Sequence, residues 1–312
     1  MFAGAMLVAL MVEAAIGWPD ALYRRIGHPV TWIGALIAGS DARFNRFEDS
    51  GALRRMAGVA VALAVMLVVG AAAIVAVRLL PSGWIGSVLA GALAWPLVAA
   101  RSLYDHVKAV GRPLARGNLD GARAAVAMIV GRDPARLHAA GVGRAALESL
   151  AESASDGVVA PLFWGVIFGL PGIAVYKAVN TMDSMIGHLT PRHAAFGWAA
   201  ARIDDGANLI PSRLTGLLFA AVSVDWRASL RCMWRDAGKH RSPNAGWPEA
   251  ALAGALGIRL SGPRVYDDRM SADVWVNEGA PDPGAADVGR GLALYLKAML
   301  VLALALLVTA VI

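Results

Sequence analysis

The sequence predicts an all-α integral membrane protein that crosses the bilayer about four to six times, with broken or re-entrant helices among its spans and sizeable helical loops in the cytoplasm. Two observations predict this class. The 312-residue chain is 57% hydrophobic with a mean hydropathy of +0.55, too apolar for an ordinary soluble protein. Its apolar runs are also continuous and rich in Ala, Leu, Val and Gly, whereas a β-barrel needs alternating segments of about ten residues. Charge supports the reading, because 29 Lys and Arg against 23 Asp and Glu give a net +6, with most of the cations in loops between apolar runs. That distribution suits a multi-pass inner-membrane protein with cytoplasmic loops that attract anions. No Lys/Arg stripe interleaved with aromatics appears, so nucleic acid is a poor partner. The single cysteine, Cys232, excludes an intramolecular disulfide and any multi-cysteine metal site. Residues 1–312 read as one membrane-embedded domain with no separate soluble part.

Residues 2–17 are apolar except for Glu13 and lack a preceding basic region, which predicts a retained membrane segment with Glu13 turned toward protein or a cavity. Residues 18–55 form a polar, arginine-rich loop, with Trp18 and Trp32 as interfacial anchors and His28, before Pro29, as a hydrogen-bonding loop residue. Met56 to Leu80 is the clearest span, longer than the roughly 20 residues needed. A turn at Pro81-Ser82-Gly83 returns the chain through 84–100 as a hairpin. The arginine-rich stretch 101–157 is predicted to be cytoplasmic and mostly helical, broken at Gly131-Arg132-Asp133-Pro134, with Asp133 as N-cap of the next helix. Gly169-Leu170-Pro171-Gly172 predicts a kinked or broken helix within 157–175, and Pro211 and Arg213 compromise 209–224. Residues 225–290 are polar, and 291–312 form a last apolar helix. If 157–175 and 209–224 each cross once, residues 176–208 lie on the face opposite the cytoplasmic loops. Re-entrant or broken helices would instead gather the polar clusters in one cytoplasm-facing cavity.

Four constellations could carry chemistry. Glu148, Glu152 and Asp156 fall at i, i+4 and i+8, on one face if the helix is continuous, where their repulsion asks for Mg²⁺ or arginine partners. Lys177, Asn180, Ser184 and His188 follow helical spacing beside Asp183, among apolar residues, and buried polar groups need partners. Asp204 and Asn208 stand at i, i+4, a pairing suited to a hard, oxygen-liganded ion or to a helix cap. In Ser242 to Ala250 two prolines and Asn244-Ala245-Gly246 predict a tight turn that holds Asn244 and Glu249 in fixed geometry. No Walker A, dinucleotide or zinc-protease motif is present.

These phrases together resemble the CobD/CbiB family of cobalamin-biosynthesis membrane proteins. The resemblance rests on His28-Pro29-Val30 with Trp32-Ile33-Gly34, Arg132-Asp133-Pro134, Glu148-Ser149-Leu150-Ala151-Glu152 through Ser155-Asp156-Gly157 to Phe163, Tyr176-Lys177-Ala178 through Asn180-Thr181-Met182-Asp183-Ser184 to Gly187, Asp204-Asp205 with Asn208, Pro211 and Arg213, and Ser242-Pro243-Asn244-Ala245-Gly246-Trp247-Pro248-Glu249. One departure is visible at Ser153, where the family phrase carries asparagine.

The resemblance implies an adenosylcobinamide-phosphate synthase. Such an enzyme joins adenosylcobyric acid to (R)-1-amino-2-propanol phosphate, or a related amino-alcohol phosphate, in an amide ligation that uses ATP and Mg²⁺. On this expectation Glu148, Glu152, Asp156, Asp183, Asp204 and Asn208 hold the metal, and Lys177 and Arg213 meet phosphates. His188 or Glu249 accepts the amine proton, and Asn180, Ser184, Asn244 and His28 bind substrate. Beyond the substrates and the lipid bilayer, a homodimer or an association with other corrinoid-pathway proteins stays open as a partner. Two rival readings share these residues: an aspartate-rich membrane prenyltransferase gripping a diphosphate, and a non-catalytic corrinoid scaffold or transporter.

Overall fold

The computed structural model describes residues 2–130, 133–263, 265–266, 269–270 and 273–312; Gly131 and Arg132, half of the expected break at 131–134, lie outside the described residues. In chain order the helices are α1 (Phe2–Ile16), α2 (Asp20–Ile26), α3 (Pro29–Phe44), α4 (Gly51–Arg78), α5 (Trp84–Ala94), α6 (Ala100–Ala115), α7 (Leu119–Val126), α8 (Ala139–Ala154), α9 (Ala160–Ile186), α10 (Trp198–Ala207), α11 (Leu209–Val222), α12 (Trp226–Asp236), α13 (Gly246–Leu256) and α14 (Ala285–Val311). A π-helical turn, Ser155–Val159, separates α8 from α9. Two short antiparallel pairings, Leu260–Ser261 with Trp275–Val276 and Val265–Tyr266 with Arg269–Met270, are the strands among the described residues.

The all-α membrane class therefore holds. Four helical stretches are long and apolar enough to cross a membrane, Gly51–Arg78, Trp84–Ala115, Ala139–Ile186 and Ala285–Val311, and a fifth arises if Phe2–Ile16 and Asp20–Phe44, bent by 112°, count as one span. Three local expectations change. The loop expected over 18–55 is largely helical, because His28 caps α3: its Nδ1 accepts from the Val30 N–H while Thr31 returns the bond to the His28 backbone. Asp133 accepts from the Ala135 N–H in a local turn, and the N-cap of α8 is instead His138, whose Nδ1 accepts from Gly141. The expected pairing of α4 with α5 is not a packed hairpin, since α5 packs on α1 and α4 packs on α9.

The chain forms two compact units. The first comprises Met1–Ala99, Ala160–Asn208 and Ala305–Ile312. Its centre is α9, against which α1, α3, α4 and α10 pack, with Ile37, Val65, Met182 and Phe196 in one apolar cluster and Glu13 buried, as expected. The predicted break in α9 is present. Gly169 adopts φ +67°, ψ −152°, a backbone region that glycine reaches without steric cost. Pro171 follows where a new helix starts, a position at which its missing N–H is not needed. Gly172 lies so close to the preceding half-helix that an added Cβ would collide with the Trp164 carbonyl oxygen.

A second lock in this unit ties the segment after α9 to α3 and α4. Asp41 receives Arg192 through both Nε (2.9 Å) and Nη2 (2.6 Å). Asn45, buried, donates to Asp41 Oδ1 and to the Arg192 carbonyl. Buried Arg54 donates from Nε to Asn45 Oδ1 at 2.9 Å and from Nη2 to the same carbonyl.

The other unit, Ala100–Val159 with Leu209–Leu304, packs α12 and α11 on α13, α13 on α8, and α8 on α6. Leu147, Leu150, Met233, Leu252 and Tyr295 lie in its core. Two guanidinium groups approach the Trp275 ring, Arg144 at 4.5 Å and Arg259 at 4.2 Å, and both arginines pair with Asp282. Those partners, Arg259 foremost, hold the Asp282 carboxyl below its usual range.

Replacing Gly172 by Ala should lower the thermal unfolding midpoint of the purified protein by several degrees, because a methyl group cannot share space with a backbone carbonyl. Gly39→Ala, where the added Cβ meets nothing within 4 Å, should leave the midpoint unchanged or slightly raised. Differential scanning fluorimetry in detergent makes the comparison.

Candidate functional site

Past the break, α9 carries its polar residues on the side that meets α3 and α10. Lys177 Nζ donates to Asn180 Oδ1 at 3.4 Å, and His28, at the start of α3, lies near enough to Lys177 for the two to interact electrostatically. From α10, Asp204 and Asn208 complete the group as expected from their spacing: Asn208 Nδ2 donates to Asp204 Oδ2 at 2.9 Å. The Tyr176 hydroxyl donates in turn to Asn208 Oδ1 at 2.8 Å. Asn208 is 1% exposed and Asp204 8%, so this is an interior polar network. Asp204 Oδ1 is buried and makes no hydrogen bond.

Burial, then the neighbouring Asp183 carboxylate, push the Asp204 carboxyl up to about 7, against the opposing pull of the Asn208 and Asn180 amides. Asp183 also interacts with His188, Asp205 and Arg202. Two of the expected residues have local bonds of their own. The Ser184 hydroxyl donates to the Asn180 carbonyl at 2.9 Å. His188 lies beyond the end of α9 at Ile186, off the helical stripe, with Nε2 2.9 Å from the Ser184 carbonyl oxygen. That contact requires a proton on Nε2 and leaves Nδ1 of the neutral ring as the acceptor.

Mg²⁺ fits this donor set in a particular way. Among the described residues no three His, Cys, Asp or Glu side chains cluster tightly enough to hold a metal by themselves. Two carboxylates, Asp183 and Asp204, the latter with one buried oxygen that makes no hydrogen bond, would suit an ion that takes one or two protein carboxylates and draws its remaining oxygens from water and substrate phosphates.

The second unit holds its own cluster. The Arg213 guanidinium lies 4.3 Å from the Trp247 ring, with Nη1 donating to the Leu209 carbonyl at 2.6 Å and reaching Ser212 Oγ at 3.4 Å. Ser212, fully buried, donates to Asn244 Oδ1 at 3.4 Å. The turn predicted at 242–247 forms, since Ser242 Oγ accepts from the Asn244 and Ala245 N–H groups and the Trp247 indole donates to the Pro243 carbonyl. Glu249 is buried with His240 Nε2 3.7 Å from its Oε1.

The acids expected on one face of α8 part company. Glu148 is buried and its Oε1 accepts from the Ser261 N–H at 2.7 Å, whereas Glu152 is exposed. Asp156 sits in the π-helical turn that follows α8. That turn packs against α11, and π-turns often mark functional positions. Sequence reasoning missed this turn, Tyr176 and His240. Tyr176 and His240 each fall next to a residue that was singled out or within a polar loop, but neither has a spacing that reveals its partner.

The family profile described as CobD/Cbib protein matches residues 6–295. A relative named cobalamin biosynthesis protein CobD, from Rhodobacter capsulatus, is 61% identical over 301 residues, covering 96% of this chain and 94% of its own. Proteins of the same name from Brucella suis (45% over 300 residues, 94% of this chain and 92% of its own) and from a Sinorhizobium species (43% over 313 residues, 96% and 95%) are also similar. No solved structure matches the chain.

The raised carboxyl of Asp204 has a consequence for stability. Relative to the unfolded chain, in which an aspartate titrates near 4, the folded protein keeps the proton up to about pH 7. Stability is therefore greatest on this account below about pH 4 and declines as pH rises toward 7, levelling above it. In Mg²⁺-free buffer, Asp204→Asn should flatten the fall in unfolding midpoint between pH 5 and pH 8 that the wild-type protein shows.

Proposed function

The chain belongs to the CobD/CbiB family, and from that premise we propose that it acts in cobalamin biosynthesis as an adenosylcobinamide-phosphate synthase. The reaction is an ATP-dependent amide ligation between the free propionate of adenosylcobyric acid and an amino-alcohol phosphate such as (R)-1-amino-2-propanol phosphate. The observation that carries the chemical part is the pairing of Asp204 with Asp183 beside Lys177, Asn180 and Asn208.

A carboxylate is a poor acyl donor. Transfer of the γ-phosphoryl group of ATP to a propionate oxygen releases ADP and leaves an acyl phosphate; attack by the amine on its carbonyl then forms the C–N bond and expels inorganic phosphate. Phosphoryl transfer asks the protein mainly for positioning and charge neutralisation. Mg²⁺, held by Asp183 and Asp204, would supply positive charge for the phosphate oxygens, with Asn208 orienting the Asp204 carboxylate through its amide nitrogen. Lys177 adds a cation on the same stripe of α9, and His28 and Ser184 line the approach to it. His188, with Nδ1 as the acceptor, suits removal of the amine proton.

In the second unit, Arg213 and Asn244 are the groups proposed to bind substrate. The Arg213 guanidinium lies over the Trp247 ring, and its remaining N–H groups are proposed to meet an anion. Glu249, beside His240, is the other candidate proton acceptor. Glu148 keeps a structural bond to Ser261; Glu152 and Asp156 of the α8 acid series are proposed for metal binding within the second unit.

The direct test incubates purified protein with adenosylcobyric acid, aminopropanol phosphate and Mg·ATP and looks for the amide by mass spectrometry. We expect product, and none after Mg²⁺ is chelated. Corrinoid binding without product would favour the scaffold reading. Asp183→Ala and Lys177→Ala should each lower kcat by at least about a hundredfold, and full activity in folded Asp183→Ala protein would refute the metal assignment.

A further inference from the structure

The first unit encloses a cavity of about 540 Å³ between α4, α9 and α10, within the range of small-ligand sites. Gly70 and Ile74 of α4, Phe168 and Val175 on either side of the α9 break, and Ile203 and Gly206 of α10 form its walls. It exists because of the break: Gly169 turns the backbone out of the helical path, so the two halves of α9 do not present one continuous surface to α4. Trp164 and Phe168, stacked with 8° between their rings, form the part of the wall before the break.

Two side chains of the lining carry polar atoms, and both are already bonded within the protein. The Trp164 indole donates to the Ala207 carbonyl at 3.1 Å, and the Tyr176 hydroxyl donates to Asn208. A ligand rich in amides or carboxylates, as a corrinoid is, would bury them here without new partners, at an unfavourable desolvation cost for each group. The cavity therefore suits hydrocarbon. Its source follows from the helix that walls it. α4 is a 28-residue span that is only 28% buried over its most apolar window, and the lining residues Ile74 and Phe168 are 44% and 57% exposed. The mouth is thus continuous with the surface that meets the bilayer.

We propose that this cavity binds one acyl chain of a membrane phospholipid. The site is independent of the proposed ligation, although Tyr176 belongs to both: its ring lines the cavity and its hydroxyl holds Asn208 against Asp204. A seated chain would pack against the Tyr176 ring where it lines the cavity.

Gly206 supplies the test, because a Cβ added there meets nothing within 4 Å and larger side chains extend into the cavity. The full-length protein is reconstituted in palmitoyl-oleoyl phosphatidylglycerol liposomes, re-extracted in mild detergent and weighed by native mass spectrometry. Wild-type protein and Gly206→Ala should retain one phospholipid. Gly206→Leu, and Ile74→Trp from the opposite wall, should lower that occupancy at least about tenfold, equivalent to about 1.4 kcal/mol, with circular dichroism and unfolding midpoints confirming folded protein. Equal retention in all four proteins would overturn the proposal. So would displacement of the phospholipid by farnesyl diphosphate at equimolar concentration, which would identify an isoprenoid site instead. Because lipid retention is read without turnover, failure of the synthase assay leaves this outcome intact.

Discussion

A backbone leaving the helical path inside an apolar segment must find protein around it, and the first unit is arranged to meet that demand at Gly169. In hydrocarbon, every backbone N–H and C=O freed by a break needs a partner or a shielded cavity. Glycine permits the left-handed turn, Pro171 starts the next helix without an N–H to satisfy, and Gly172 allows the two half-helices to overlap beside the Trp164 carbonyl. α1 closes over the same point, with the Phe2 ring 3.0 Å from where a Gly169 Cβ would stand. Past the break, Tyr176, Lys177, Asn180 and Asp183 follow along α9, and the apolar cavity lies against the same helix.

The polar network beyond the break is built so that its members hold one another. Tyr176 fixes the Asn208 carbonyl oxygen, which turns the Asn208 amide nitrogen toward Asp204. Asp204 then faces Asp183 in a buried setting that disfavours two negative charges. Stability is given up there to keep two acids close, and the remainder of the unit offsets that cost through α9's packing and through the Asp41, Asn45, Arg54 and Arg192 lock. The second unit handles its buried acids differently. Asp236, fully buried, takes Arg235, Lys239 and the Asn277 N–H as partners and stays well below the usual carboxylate range. One unit neutralises its acid with cations, and the other leaves the acid a proton that it releases only near pH 7.

Membrane class, the main spans, the break at Gly169–Gly172 and the pairing of Asp204 with Asn208 were legible in the sequence by itself, because each depends on residues close together in the chain. Apolar run length sets a span, glycine and proline set a break, and an i, i+4 spacing brings two side chains onto one face of a helix. The family resemblance was legible for a related reason, since it rests on phrases in a set order.

Only the tertiary structure decided what depends on distant partners. It gave Glu148 of the acid row the Ser261 N–H as partner, 113 residues away, and it placed Asp156 in a π-turn that no composition announces. It moved His188 off the end of α9, made His28 and His138 helix caps, and set α5 on α1 instead of α4. The raised Asp204 carboxyl belongs to the same class, because desolvation and the nearby Asp183 charge are properties of packing, and local spacing carries no information about either.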